Sequence, residues 1–250
     1  MAALVPGSLL FRDLFGTAAM RELFSDRALV QRYLDVEAAL ARVQARLGLI
    51  PDEAAREIGA KAEAGNIDLA RMAARTAVVG YPILPLVEQL SAVCRDGLGQ
   101  YSHWGATTQD IMDTADVLQM RDALVLIVAE LDAVADTLAA LAKVHRDTPM
   151  AGRTHLQHAL PITFGYKCAV WLSAIDRHRA RLDELRPRVL VGEFAGAAGT
   201  LASLGPHGLA VHDALMAELG LGTPSITWHA ARDGMAEVSG LLALITGSLG

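Results

Sequence analysis

Two hundred and fifty residues allow one large or two modest domains with a real core. Apolar residues make up 52% and aromatics only 5%, a mix rich in alanine and leucine that suits long packed helices rather than sheets. The net charge of −6, without a basic cluster, argues against a nucleic-acid surface.

No apolar run reaches membrane-spanning length without Gly, Pro or charge, and the N-terminus lacks the layout of a signal peptide. The two cysteines, Cys94 and Cys168, fit a reduced cytoplasm, and Cys168 falls on an apolar helical seam that places it in a core. The expectation is an all-α, cytoplasmic protein.

In chain order, Leu9, Leu10, Phe11, Leu14 and Phe15 are expected to pack onto a neighbouring element. Ser25 or Asp26 can cap a first helix whose seam is Leu29, Tyr33, Val36, Leu40, Val43 and Leu47. Gly48 ends it, and Pro51-Asp52 opens a shorter helix to about Gly65. Asp68 caps another segment that breaks near Gly80-Tyr81-Pro82, and a helix around Ile83 to Val93 follows. A small helical domain is therefore expected at 1–105, with a helical bundle over 106–250.

The bundle begins with a polar loop that launches a long helix from about Asp110 to Arg146. Its apolar positions, Val117, Met120, Leu124, Ile127, Leu131, Val134, Leu138 and Leu141, step by 3 and 4. At about 1.5 Å per residue it would run roughly 55 Å. After a polar loop at 147–160, Pro161 suits the first turn of a second long helix. Phe164, Cys168, Trp171, Ile175, His178, Leu182 and Leu185 mark its seam, and Pro187 should stop it. Two such helices should lie antiparallel. Residues 190–208, rich in Gly and Ala, read as a closely packed irregular crossing, followed by a helix near His207 to Leu219 and a last apolar helix.

Three polar patches can carry chemistry. His103, Thr107, Thr108, Gln109 and Asp110 precede the first long helix, where hydroxyls, an amide and free N–H groups can hold a carboxylate on the positive helix end. Thr108 or Asp110 acting as a plain helix cap is the alternative. Thr154, His155, Gln157 and His158 lie between the long helices. There His155 would give or take a proton near neutral pH, with Thr154 and Gln157 orienting substrate. The simpler alternative is a loop histidine bonded to backbone. His155 and His158 lack a third ligand at suitable spacing, so no metal is expected. In Trp228-His229-Ala230-Ala231-Arg232-Asp233, Arg232 can clamp a carboxylate or merely close a salt bridge between helices. No P-loop, dinucleotide loop, Gly-x-Ser-x-Gly or His-Glu-x-x-His occurs, so no cofactor is expected.

These patches, in this order and on long helices, resemble the fumarase/aspartase superfamily. The runs His-Trp-Gly-Ala-Thr-Thr-Gln-Asp-Ile-x-Asp-Thr and Gly-Arg-Thr-His-Leu-Gln-His-Ala-Leu-Pro-Ile-Thr-Phe-Gly look most like its 3-carboxy-cis,cis-muconate cycloisomerase branch. Trp-His-x-x-Arg-Asp and the opening Met20-Arg21-Glu22-Leu23-Phe24-Ser25-Asp26 agree, as does Leu34-Asp35-Val36-Glu37-Ala38-Ala39-Leu40-Ala41.

The resemblance implies an all-α homotetramer with one shared bundle and active sites built from three subunits. It acts without cofactor on a small di- or tricarboxylate. Adenylosuccinate lyase is the neighbouring branch, and a non-catalytic helical assembly module is the reading from outside enzymology. Thr107 and Thr108 match positions that hold substrate carboxylate. His155 matches a proton-transferring histidine that is not always histidine in this branch, which keeps His158 in play. The superfamily's mobile Gly-Ser-Ser-x-Met-Pro-x-Lys loop has no equivalent here, where the only lysines are Lys61, Lys143 and Lys167. The chain is therefore expected to be the front part of a longer enzyme, or a fragment that does not complete its own site.

Overall fold

The structure, a computed structural model, describes residues 10–250. Among these the fold is all-α apart from one two-stranded sheet. The helices are α1 (Ala18–Leu23), α2 (Asp26–Arg46), α3 (Asp52–Lys61), α4 (Leu69–Val79), α5 (Ile83–Val93), α6 (Thr108–Val144), α7 (Phe164–Val189), α8 (Gly208–Leu219) and α9 (Asp233–Leu249). The strands β1 (Pro149–Thr154) and β2 (Gln157–Thr163) separate α6 from α7. No described helix is long and apolar enough to cross a membrane.

Local chemistry sets most helix ends. Ser25 Oγ accepts from Ala28 N at 3.2 Å and opens α2, and Asp68 Oδ1 accepts from Arg71 N at 3.0 Å and opens α4. Gly80, at φ 90°, closes α4 in the left-handed conformation that glycine adopts without a Cβ clash.

Backbone contacts divide the chain into two units. One holds the described part of Met1–Ala123 with Leu190–Arg232; the other holds Leu124–Val189 with Asp233–Gly250. In the first, α2 is the central rod: Leu34, Val36, Ala39, Leu40 and Val43 are essentially sealed, and α3 and α8 pack against it. Full burial of a leucine or valine side chain contributes about 1.5–3 kcal/mol, so this seam contributes strongly to the stability of the unit. The segment 190–208 is the irregular crossing its glycines suggest, with Phe194 fully buried.

In the second unit, contacts run in opposite senses along paired helices. Asp132 meets Arg179 at 2.6 Å, while a Cβ on Gly165 would lie 2.6 Å from Ala142 O, so α6 and α7 are antiparallel. Arg188 pairs with Glu237 and His178 with Ser248, so α7 and α9 are antiparallel too. Cys168, Ile175, His178, Leu182 and Leu185 form the buried seam of α7, and Cys168 is core as its position suggests. Trp171, on the same seam, is instead half exposed.

Four expectations need correction. Residues 147–160 are not a plain loop: Pro149–Thr154 and Gln157–Thr163 pair as an antiparallel hairpin with a bulge between Ala151 and Arg153. Pro161 therefore sits in β2 opposite Ala151, where a residue without an N–H is tolerated beside a bulge. Helix α7 starts three residues later, with Thr163 Oγ1 accepting from Tyr166 N at 3.1 Å. Pro187 does not stop α7, which runs two residues further to Val189. Finally, Leu10, Phe11, Leu14 and Phe15 are exposed rather than packed, and Leu9 lies outside the described residues.

Candidate active site

Helix α6 begins at Thr108, so Thr107 is its N-cap and Asp110 its third residue. Asp110 reaches back and accepts from Thr107 N at 2.8 Å, which is one half of a capping box. The other half is not made. The Thr107 and Thr108 hydroxyls carry no hydrogen bond among the described residues, although they stand at the positive end of a 37-residue helix. Two uncommitted hydroxyl donors at that end form a place for an anion.

The loop leading in is held from below by α2. Glu37 and Gln44, seven residues apart and so on one face, are both fully buried. Glu37 Oε1 meets His103 Nδ1 at 2.6 Å and its Oε2 accepts from His103 N at 2.9 Å. Gln44 Nε2 donates to Trp104 O at 2.7 Å. His103 takes φ 61° and Gly105 takes φ 77°, which turn the chain sharply into the helix. A Cβ on Gly105 would lie 2.7 Å from Leu204 Cγ, so that position has neither the dihedral nor the space for a side chain.

Asp110 itself faces inward. Its fully buried carboxylate accepts from Thr107 N, Ala195 N at 2.9 Å and Gly196 N at 3.0 Å, and it meets His229 Nε2 at 2.8 Å. Beside it, Glu193 accepts from Thr227 Oγ1 at 3.0 Å and from Trp228 N. Burial pushes the Glu193 carboxyl up despite these donors and the nearby His229. The Thr114 hydroxyl donates to Glu193 O and accepts from Glu193 N, both at 2.8 Å. Asp110, Glu193 and His229 bring three possible metal-ligand atoms within 4.8 Å of one another. The carboxylate lone pairs are already directed at N–H and O–H groups and both His229 nitrogens are bonded, so the trio reads as a hydrogen-bonded brace between α6 and two irregular segments.

Arg232 spends its fork on Asp113, with bonds of 2.7 and 2.9 Å, and its guanidinium lies over the Trp228 ring at 5.2 Å. Gln109 Nε2 donates to the same Asp113 at 2.8 Å. Of the residues singled out from the sequence, His103, Thr107, Thr108, Gln109, Asp110 and Arg232 thus gather in the first unit. Thr107, Thr108 and one edge of His103 remain open, while Asp110 and Arg232 are committed to protein partners.

Thr154, His155, Gln157 and His158 lie in the second unit, at the tip of the β1–β2 hairpin. His155 and Leu156 form the turn, with Leu156 at φ 60° and almost wholly exposed. All four named residues are exposed, and neither histidine ring has a hydrogen bond among the described residues. With Arg153 and Leu156, Thr154, Gln157 and His158 line an open recess of about 520 Å³.

Glu37, Gln44, Asp113, Glu193 and His229 were not singled out individually from the sequence. The signal for Glu37 and Gln44 was available: both are polar residues placed among the apolar positions of α2, where a buried polar group requires a partner.

Comparison with known proteins agrees along almost the whole chain. A family model described as Lyase matches residues 15–250. Trans-aconitate decarboxylase 1 of Mycosarcoma maydis is 52% identical over 237 residues, covering 95% of this chain and 48% of that protein. The crystal structure of fumarate lyase from Mesorhizobium sp. BNC1 superimposes with TM-score 0.91 at 62% identity, covering 94% of this chain and 55% of that one. That of 3-carboxy-cis,cis-muconate lactonizing enzyme from Pseudomonas putida gives TM-score 0.94 at 48% identity, covering 97% and 56%. The chain spans about half the length of the curated relatives it matches.

Proposed function

Since this chain belongs to the fumarase/aspartase lyase family, we propose that it supplies the carboxylate site of a 3-carboxy-cis,cis-muconate cycloisomerase. One observation carries the reading: the uncommitted Thr107 and Thr108 hydroxyls at the N-terminus of α6, beside a histidine fixed by a buried glutamate. Residues 1–105 would be the N-terminal helical domain and 106–250 would belong to the shared bundle of a cytoplasmic homotetramer.

In the lactonizing direction, one carboxylate oxygen of the muconate adds across a carbon–carbon double bond. The electron pair of that bond moves onto the neighbouring carboxylate, giving an enediolate, and a proton delivered to carbon completes the lactone. Thr107, Thr108 and the helix N-terminus hold that second carboxylate and gain strength as its charge grows. Donors of this kind are worth about a hundredfold or more in turnover when removed singly. Gln109, Asp110 and Arg232 set the geometry of the loop that presents those donors. In the tetramer, His155, or His158 in its place, would move the proton, with Thr154 and Gln157 orienting the substrate from the hairpin of another subunit.

Thr108→Ala in the complete protein is expected to lower turnover by about a hundredfold while shifting the unfolding midpoint little. Equal losses of activity and stability would remove the carboxylate assignment.

A second reading is favoured by the 52% identity to trans-aconitate decarboxylase 1. There the same donors would hold a tricarboxylate whose carbanion, left by loss of carbon dioxide, is also spread onto a carboxylate. Mixing the complete protein with 3-carboxy-cis,cis-muconate should abolish the diene absorbance. Carbon dioxide released from trans-aconitate, with the diene untouched, would select the second reading. Fumarate released from adenylosuccinate would select the adenylosuccinate lyase branch, and inertness toward all three the assembly module.

A further inference from the structure

Two histidines of the first unit are each paired with a buried carboxylate, and they are paired differently. His229 has both ring nitrogens committed, Nε2 to Asp110 and Nδ1 to the Thr227 hydroxyl at 3.2 Å. His103 commits only Nδ1, to Glu37; its Nε2 has no hydrogen bond among the described residues, and the side chain is 22% exposed. We propose that Glu37 is a positioning residue that aims the free Nε2–H of His103 at a carboxylate of the substrate. The inference rests on the reading that the loop 103–108 is a carboxylate site.

The geometry of Glu37 goes beyond holding a loop. A single carboxylate grips His103 twice, at the backbone N–H and at the ring, which fixes the left-handed backbone and the ring direction together. An ionised carboxylate only accepts, so Nδ1 must carry the proton that is shared with Glu37. The nitrogen left for a ligand is then Nε2, and it offers an N–H when the ring is charged. Burial works against a charged ring here. The charge of Glu37, its hydrogen bond and the charge of Asp110 outweigh burial, and the His103 pKa is raised. Glu37 lies on α2 and Asp110 on α6, so the two charged groups that tune His103 come from separate helices. A neutral glutamine at position 37 would keep part of the grip on the backbone but lose the charge that favours the imidazolium.

The test uses the complete protein and tricarballylate, a saturated tricarboxylate that cannot react, with binding followed by calorimetry across pH. Glu37→Gln is expected to weaken binding about tenfold near neutral pH. It should also move the pH at which binding fades downward by about one unit. His103→Asn should lose a similar amount, and the double variant no more than His103→Asn alone. Binding by Glu37→Gln equal to wild type, an unmoved pH dependence, or losses that add would overturn the positioning role, because a purely structural glutamate predicts those results. If Glu37→Gln does not fold, His103→Asn decides: binding within twofold of wild type overturns the proposal. Wild-type binding that Thr108→Ala leaves untouched, or no wild-type binding, overturns the carboxylate-site reading itself. Sensitivity to Thr108→Ala and His103→Asn with indifference to Glu37→Gln overturns only the role of Glu37.

Discussion

The loop 101–107 and the hairpin 149–163 both carry polar side chains expected to meet substrate, and they are built on opposite terms. In the loop, successive residues are tied to buried groups from other elements: His103 to Glu37, Trp104 to Gln44, Thr107 to Asp110. In the hairpin, the ladder between β1 and β2 is the main support, and Thr154, His155, Gln157 and His158 are exposed. Rigid aiming of a few open donors therefore comes from sealed carboxylates beneath them, not from the loop's own backbone. The hairpin holds its register by strand pairing and leaves its side chains free to meet whatever covers them.

The largest effect is expected at Asp110. Asp110→Ala would strip the acceptor from Thr107 N, Ala195 N, Gly196 N and His229, and removal of one member of such a buried network costs about 3–5 kcal/mol. Urea unfolding should register that loss; a change below about 1 kcal/mol would mean the brace is not a unit. Gly105→Ala comes next, at about 1–3 kcal/mol, because the added Cβ meets Leu204 in a left-handed backbone. A melting midpoint like wild type would show that the 190–208 segment yields easily.

Two histidines sharpen the contrast through pH. The His103 pKa is raised, so its contribution to stability is complete below the ordinary histidine value of 6.5 and is lost as pH rises through the higher folded value. In the second unit, His178 is pushed down by burial and then by Arg181 and Arg177, with Ser248 of α9 bonded to its Nε2. Its contribution is complete above 6.5 and is lost as pH falls from there toward the lower folded value. Denaturant midpoints measured from pH 8 to 5.5 should therefore respond oppositely to His103→Gln and His178→Gln. Matching slopes for the two variants would refute the assignment. Least of all, His155→Ala and His158→Ala should each change stability by under about 0.5 kcal/mol, since both rings are exposed and neither is bonded among the described residues. A cost above about 1 kcal/mol would mean that the hairpin tip is held as firmly as the loop.

Helix type, most helix ends and the polar patches were legible in the sequence because each rests on neighbours within a turn or two. Ser25, Asp68, Gly48 and Gly80 act on residues three or four away, and the 3-and-4 steps of α2, α6 and α7 are themselves local. The hairpin was missed because its side chains show no alternation of apolar and polar residues: neither face of β1–β2 is steadily buried, so strand pairing left no period to read. The cluster His103, Thr107, Thr108 and Asp110 was visible as a list of donors and acceptors, but not which of them would be spent internally.

The set of long helices and the position of an anion-ready loop at the start of the longest follow from local residue patterns. The commitment of each polar group, by contrast, depends on residues far apart in the chain. Glu37 meets His103 across 66 positions, Thr114 meets Glu193 across 79, and Asp110 and Asp113 meet His229 and Arg232 across 119. Such partners are chosen by which buried donors and acceptors folding brings together. A buried carboxylate must be satisfied by something, and no local pattern in the chain says by what.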